Sequence, residues 1–288
     1  MTTIEQWWRA GDQVELLLNG SERHVFVRRF RNAAPHMTLL HGFPSSSHDW
    51  HKVAPALADA YEVLAPDFLG FGASDKPPEH DYSIHEQADI IEELWEIEGV
   101  TETTVVAHDY AVSVTQELLA RRAAGELTTE IKAIHLLNGG LYPDVHRPQP
   151  VQEALLDPDQ GPKVSALMNE ELMIGALKPT FAPDYDATAD SVAIWRSMYR
   201  DGGFKNSYLL IRYMTDRRKH EDRWVEALEG TDVPLNFVWG MLDPVSGAHM
   251  AERIKERLPT APIAELGEVG HWPQLEAPDR VTAAILTP

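Results

Sequence analysis

Ten residues, Thr104-Val105-Val106-Ala107-His108-Asp109-Tyr110-Ala111-Val112-Ser113, limit what this chain can fold into more than any other stretch. A short β-branched run ends in a tight corner, and a helix is expected to follow over Val114 to Arg122. Ala107 and Ala111 bracket Asp109 at the spacing small-x-nucleophile-x-small. Small neighbours let the backbone turn sharply from strand to helix while the central side chain is presented at the top of a sheet. Asp109 is therefore read as a nucleophile, and Ser113, on the helix side, lies off the corner.

The segments around this corner alternate between strand and helix. Val14 to Leu18 and His24 to Phe30 read as strands about an Asn19-Gly20 turn. Met37 to Leu40 is a buried strand opening into His41-Gly42-Phe43-Pro44-Ser45-Ser46-Ser47, the kind of corner that exposes backbone N–H groups above a carboxyl edge. Val53 to Leu57 has helical character, and Glu62 to Asp67 gives another strand. The Gly-rich loop Asp67 to Asp75 lacks a following Gly-Lys-Ser helix, so it reads as a structural turn and not a phosphate cradle. Ser83 to Glu98 has the pattern of an amphipathic helix, with apolar positions from Ile84 to Ile97, capped by Ser83 and Glu86. Ile131 to Leu137 supplies a strand closed by Asn138-Gly139-Gly140. This rhythm predicts a mostly parallel, doubly wound α/β sheet.

After Gly140 the rhythm breaks. From Leu141 to Arg218 the chain reads as helical, aromatic and Pro-interrupted, and strands return at Pro234 to Gly240 and Pro262 to Leu266. The expected organisation is a core in two parts, residues 1–140 and 219–288, with a helical cap over 141–218. An insert leaving a sheet's carboxyl edge would lie over the catalytic corner as a lid.

Composition removes several function classes. Acidic residues outnumber basic ones 45 to 25, for a formal net charge of -20, which disfavours nucleic acid and anionic membrane surfaces as partners. The absence of Cys excludes disulfides, thiolate catalysis and Cys-based metal sites. No stretch approaches the roughly 20 apolar residues a membrane span needs. The expectation is a cytoplasmic enzyme acting on a small hydrophobic substrate. The chain is compatible with a homodimer, and its chemistry calls for no cofactor and no metal.

Two residues complete a constellation with Asp109. Asp243, in Trp239-Gly240-Met241-Leu242-Asp243-Pro244, and His271, in Gly267-Glu268-Val269-Gly270-His271-Trp272-Pro273, each fall just past a predicted strand. An Asp before Pro is commonly a turn former, and a single His among 13 says little. Taken together, the order nucleophile, acid, base is what carries the reading.

On these motifs the whole chain resembles the α/β-hydrolase superfamily, in the branch of epoxide hydrolases and haloalkane dehalogenases that use an aspartate nucleophile. More closely, it resembles the mesoderm-specific transcript protein subfamily. The resemblance is carried by His41 to Pro44 with Ser45 to Trp50, Asp67 to Pro77, Tyr82-Ser83-Ile84 with Glu86-Gln87-Ala88, and His108-Asp109-Tyr110. Asn138-Gly139-Gly140, His146-Arg147-Pro148 and Leu242-Asp243-Pro244 extend it over most of the chain.

A carboxylate is already ionised at neutral pH, so Asp109 needs no base in order to attack. Attack on an ester or amide would give a high-energy anhydride, so the target is saturated carbon bearing a leaving group. The resulting alkyl ester would be hydrolysed by water activated by His271, itself oriented by Asp243. The oxyanion would rest on the backbone N–H groups of Phe43 and Tyr110. The resemblance bears on the leaving group. Dehalogenases of this branch typically place a Trp after the nucleophile and an Asn or a second Trp elsewhere, where this chain has Tyr110 and Phe43. Epoxide hydrolases typically use two lid tyrosines, and Tyr213 is the first candidate by position. Tyr142, Tyr185 and Tyr208 compete for the second role. Trp195 could donate to a halide, although packing is its simpler use. His41 and His108 are expected to support the two corners. The reading is epoxide hydrolysis to a vicinal diol, with a haloalkane or haloacid dehalogenase as the alternative and a non-catalytic binding protein on the same scaffold as a third.

Overall fold

The buried apolar runs become the inner strands of one eight-stranded sheet. A computed structural model of the protein describes residues 2–18 and 20–287. The strands are β1 (Asp12–Leu18), β2 (Ser21–Phe30), β3 (His36–Leu40), β4 (Glu62–Pro66), β5 (Glu102–His108), β6 (Glu130–Leu137), β7 (Leu235–Gly240) and β8 (Ile263–Leu266). Their spatial order is β1-β2-β4-β3-β5-β6-β7-β8, with β2 antiparallel to both β1 and β4 and the remaining pairs parallel. The hairpin between β1 and β2 closes at the pair Leu18 and Ser21, and Asn19, half of the expected turn, lies outside the described residues.

Parallel strands covered on both faces read as continuous hydrophobic runs, and β5 shows why. Val105 and Ala107 pack into one apolar cluster with Tyr110, Leu118 and Trp239, while Val106 points to the other face with Leu39, Trp50 and Val238. Helices α1 (Ile4–Arg9), α2 (Ala54–Leu57), α3 (Ile84–Ile97) and α4 (Tyr110–Ala124) accompany these strands. The Ser83 hydroxyl accepts the Glu86 N–H at 3.2 Å and caps α3. The Glu86 carboxylate does not close the expected capping box; it meets His80 Nε2 at 2.6 Å. Ile97 is half exposed and Ile90 is fully buried, so the apolar face of α3 ends one turn earlier than the pattern suggests.

Helix α4 begins at Tyr110, four residues before the expected start, and ends at Gly125, which has a φ of 73°. Its first turn carries the β-branched Val112 and lacks a capping side chain, so local preference hides an entry imposed by the corner. The Gly-rich loop after β4 is a structural turn. The Asp67 carboxylate accepts the N–H groups of Ser47 and Ala73, both at 2.7 Å. A Cβ on Gly72, whose φ is +50°, would lie 2.0 Å from that carboxylate.

Between β6 and β7 the chain is helical, with α5 (Pro150–Leu156), α6 (Gly161–Leu167), α7 (Glu170–Leu177), α8 (Thr188–Tyr199), α9 (Ser207–Leu210), α10 (Tyr213–Lys219) and α11 (Glu221–Gly230). The expected boundary at residue 218 falls one residue before the end of α10. Helix α11 packs back on α4, where Trp224 Nε1 donates to the buried Glu117 carboxylate at 2.8 Å. Among the described residues, no helix is long and apolar enough to cross a membrane.

Candidate active site

Asp109 ends the β5 corner with φ 47° and ψ −101°, a conformation that L residues adopt only when the surroundings enforce it. The enforcement is visible. The Asp109 N–H donates to the Asn138 carbonyl at 3.0 Å, and its own carbonyl accepts Arg217 Nη2 at 2.9 Å. Gly42 allows the neighbouring corner to close, since a Cβ there would stand 2.8 Å from His108 Nδ1 and 3.0 Å from Asp109 Cβ. That closeness brings the Phe43 N–H to Asp109 Oδ2 at 3.0 Å. Tyr110 is the first residue of α4, and the N–H groups of a helix's first turn have no carbonyl within the helix to meet.

His271, on the turn after β8, has Nδ1 2.8 Å from Asp243 Oδ2 and Nε2 4.0 Å from Asp109 Oδ1. The second distance is too long for a direct hydrogen bond and short enough for one bent water bridge. Asp243, past β7, is fully saturated: Oδ2 also accepts Asn138 Nδ2 at 2.9 Å and the Ser246 hydroxyl at 2.7 Å, and Oδ1 accepts the Val245 N–H at 2.7 Å. Burial alone would raise its pKa, but the His271 charge and these hydrogen bonds hold it well below the carboxylate range. Burial likewise pushes His271 down, and Asp243, with help from Asp109, overcomes this and lifts it to about 9.

The two flanking histidines are structural and neutral. His41 Nε2 accepts the Phe68 N–H at 3.0 Å while Nδ1 donates to the Gly42 carbonyl at 2.8 Å, and burial lowers its pKa to about 4. His108 Nε2 donates to the His271 carbonyl at 2.8 Å and Nδ1 accepts from Gln274 at 3.1 Å, and burial lowers its pKa to about 3.

Beside His271 lies a small apolar cavity of about 50 Å³, walled by Phe43, Leu155, Met173, Leu177 and Trp272 together with His271 itself. Tyr213 is fully buried, its ring centroid 5.0 Å from that of Tyr110 and 5.8 Å from that of Phe43, and its hydroxyl has no hydrogen-bond partner. Burial raises its pKa well above the usual phenol value, so it remains a proton donor.

The other cap candidates go elsewhere. The Tyr185 hydroxyl is occupied by Lys52 Nζ at 2.8 Å and by the Leu275 carbonyl at 3.0 Å, where the cap meets the core. Tyr142 turns toward α-helical Arg253, whose guanidinium lies 5.8 Å from the ring centroid. Tyr208 packs on the start of α6, its N–H bonded to Ser165 Oγ at 3.0 Å. Trp195 lies in a cluster with Ile194 and Met198 that also takes in Trp272 and Leu275. None of these four aromatics lines the cavity, and neither do Tyr213 and Asp109; what distinguishes Tyr213 is its packing against Tyr110 and Phe43 at the corner. Reading the sequence for aromatics missed the polar supports instead. Asn138 could have been found from its place at a strand end, as Asp109, Asp243 and His271 were. Arg217 carries no such signal, because only the folded α10 brings it to the corner.

A family model described as alpha/beta hydrolase fold matches residues 35–278. The chain belongs to this family. LipZ of Mycobacterium tuberculosis is 37% identical over 264 residues, covering 91% of each chain. The mesoderm-specific transcript homolog protein of Homo sapiens is 39% identical over 253 residues, covering 84% of this chain and 75% of that one. Among solved structures, the haloalkane dehalogenase DbeA from Bradyrhizobium elkani superposes with a TM-score of 0.78 at 20% identity, covering 96% of each chain. The resemblance to the superfamily and to the mesoderm-specific transcript proteins is thereby established, as is the mostly parallel α/β fold.

Proposed function

We propose that this hydrolase opens epoxides to vicinal diols through an alkyl ester on Asp109. The observation that carries the reading is the Asp109 carboxylate itself. One oxygen is held by the Phe43 N–H at 3.0 Å and the other lies 4.0 Å from His271 Nε2. Oδ2 is placed to remain the carbonyl oxygen of the ester, which leaves Oδ1 to bond to carbon as the ring C–O bond breaks. The electron pair of that bond goes to the epoxide oxygen, and Tyr213 Oη is the donor available to it. Water deprotonated by His271 then adds at Asp109 Cγ and the oxyanion is held by the Phe43 and Tyr110 N–H groups; its collapse breaks the bond from Cγ to Oδ1, the imidazolium returns its proton to that departing oxygen, the diol leaves carrying it, and a proton from solvent restores the Tyr213 phenol. Four Asp243 contacts fix the imidazole for this step.

The epoxide reading, as distinct from dehalogenation, is supported by the phenol of Tyr213 and by the absence of a Trp after Asp109. Parallel assays of styrene-oxide-like epoxides and short bromoalkanes, with Asp109→Asn as the blank, test it. Diol formation without bromide release is expected, and Tyr213→Phe should lower epoxide turnover by about 10²-fold or more. Bromide release without diol would replace the epoxide assignment with dehalogenation.

A further inference from the structure

His271 stands on a turn, and an imidazole whose Nε2 lies 4.0 Å from Asp109 is only as well placed as the backbone beneath it. Asp243 fixes the ring. The backbone is held from two directions. From the core, His108 Nε2 donates to the His271 carbonyl at 2.8 Å. From the helical insert, the Thr180 carbonyl accepts the His271 N–H at 2.7 Å.

The residues on either side of His271 are held by one side chain. Glu276 ends the one-turn helix Pro273–Glu276 and reaches back to the turn that precedes it. Its Oε2 accepts the Gly270 N–H at 3.0 Å, and its Oε1 accepts the Trp272 N–H, also at 3.0 Å. Oε2 further accepts the Ala182 N–H at 2.8 Å, so a single carboxylate joins both flanks of His271 to residues 180–182 of the insert. Bonds from N–H groups to an ionised acceptor are about twice as strong as neutral ones. Residues 180–182 lie directly on the turn: a Cβ on Gly270 would stand 2.5 Å from the Thr180 carbonyl, and Trp272 Nε1 donates to Thr180 Oγ1 at 2.9 Å. The Glu276 charge is also among those that favour the protonated form of His271.

We propose that Glu276 is a positioning residue for the base, holding the His271 turn against residues 180–182 and so setting where Nε2 stands relative to Asp109. The inference rests on the alkyl-aspartate reading of the same site and adds that part of the insert belongs to the mount of the base. Residues 180–182 therefore stay on the core during turnover, since lifting them removes the acceptor of the His271 N–H.

The test compares wild type, Glu276→Gln and Glu276→Asp by steady-state kinetics on a turned-over epoxide, hydrogen-exchange mass spectrometry of residues 268–275, and nuclear magnetic resonance titration of the His271 ring. Attack by Asp109 needs no base, so a displaced imidazole slows only the hydrolysis of the ester. Glu276→Gln should lower kcat about tenfold or more. KM should fall with it, leaving kcat/KM near the wild-type value. Exchange in the turn should speed up, and the pKa of His271 should drop with the lost charge. A fall in kcat and kcat/KM together at constant KM would mean only that less protein is correctly folded, and it would overturn the proposal. Wild-type kcat and wild-type exchange in a folded variant would overturn it too. Glu276→Asp keeps the charge on a side chain one methylene shorter, so it should loosen the turn while preserving more of the pKa, and it decides the matter if Glu276→Gln does not fold. A His271→Gln variant that never forms an adduct on Asp109 would discard the ester, and the exchange and titration of the Glu276 variants would still decide whether Glu276 positions the imidazole.

Discussion

His271 sits between two carboxylates, and its pKa of about 9 records their pull against the cost of burial. The sign of this shift has a kinetic consequence. Only the neutral imidazole accepts a proton from water, so ester hydrolysis should fall as pH drops through the pKa that His271 has in the alkyl-enzyme. Esterification cancels the Asp109 charge, one of the contributions that favour imidazolium, so that pKa must lie below about 9. Asp109→Asn mimics the loss of charge, and nuclear magnetic resonance titration of the His271 ring should show a lower pKa in the variant than in the wild type. An unchanged value would mean that Asp109 does not act on the imidazole. At this scale the sequence was informative for residues that end strands. Asp109, Asp243 and His271 announce themselves by position, and the structure brings them together. Tyr142, Tyr185, Tyr208 and Trp195 stand out in the sequence only by residue type and by lying between β6 and β7, and neither says where a ring points.

The cap is held to the core at a defined place. Lys52 Nζ, on the core, donates to Tyr185 Oη at 2.8 Å, to Asp190 Oδ2 at 3.0 Å and to the Leu275 carbonyl at 3.1 Å. Both Lys52 and Asp190 are largely buried, so removing one partner strands the other. Lys52→Met should therefore cost roughly 3 kcal/mol of stability. It should also speed amide exchange in α7 and α8 relative to the sheet, as read by hydrogen-exchange mass spectrometry. Uniform exchange across cap and core would contradict a local latch. Elements with a strong period were legible before folding: every expected strand is present, and α3 starts at its Ser83 cap. The start of α4 was not legible, because the Asp109 backbone is set by Gly42, Asn138 and Arg217, three contacts distant in sequence. Tertiary contacts override local preference at that corner.

Across the whole molecule, the sheet brings Asp109, Asp243 and His271 to one edge, and the helices between β6 and β7 supply Leu155, Met173 and Leu177 to the cavity beside His271. The strand order carries β5, β7 and β8 side by side with β6, so their carboxyl ends assemble Asp109, Asp243 and His271 although 162 positions of sequence separate the first from the last. The alternation of strands and helices announced that architecture, and the break after Gly140 announced an insert. The pattern could not say how the insert packs, because its buried apolar residues, Leu155, Leu209 and Leu210 among them, come from several short helices with no long repeated stripe. The account depends on a covalent bond to one carboxylate, and His271→Gln should preserve the attack while blocking release. Mass spectrometry of this variant after incubation with a turned-over epoxide should find the substrate's mass added to the peptide containing Asp109. Loss of turnover with no adduct on that peptide would contradict the account.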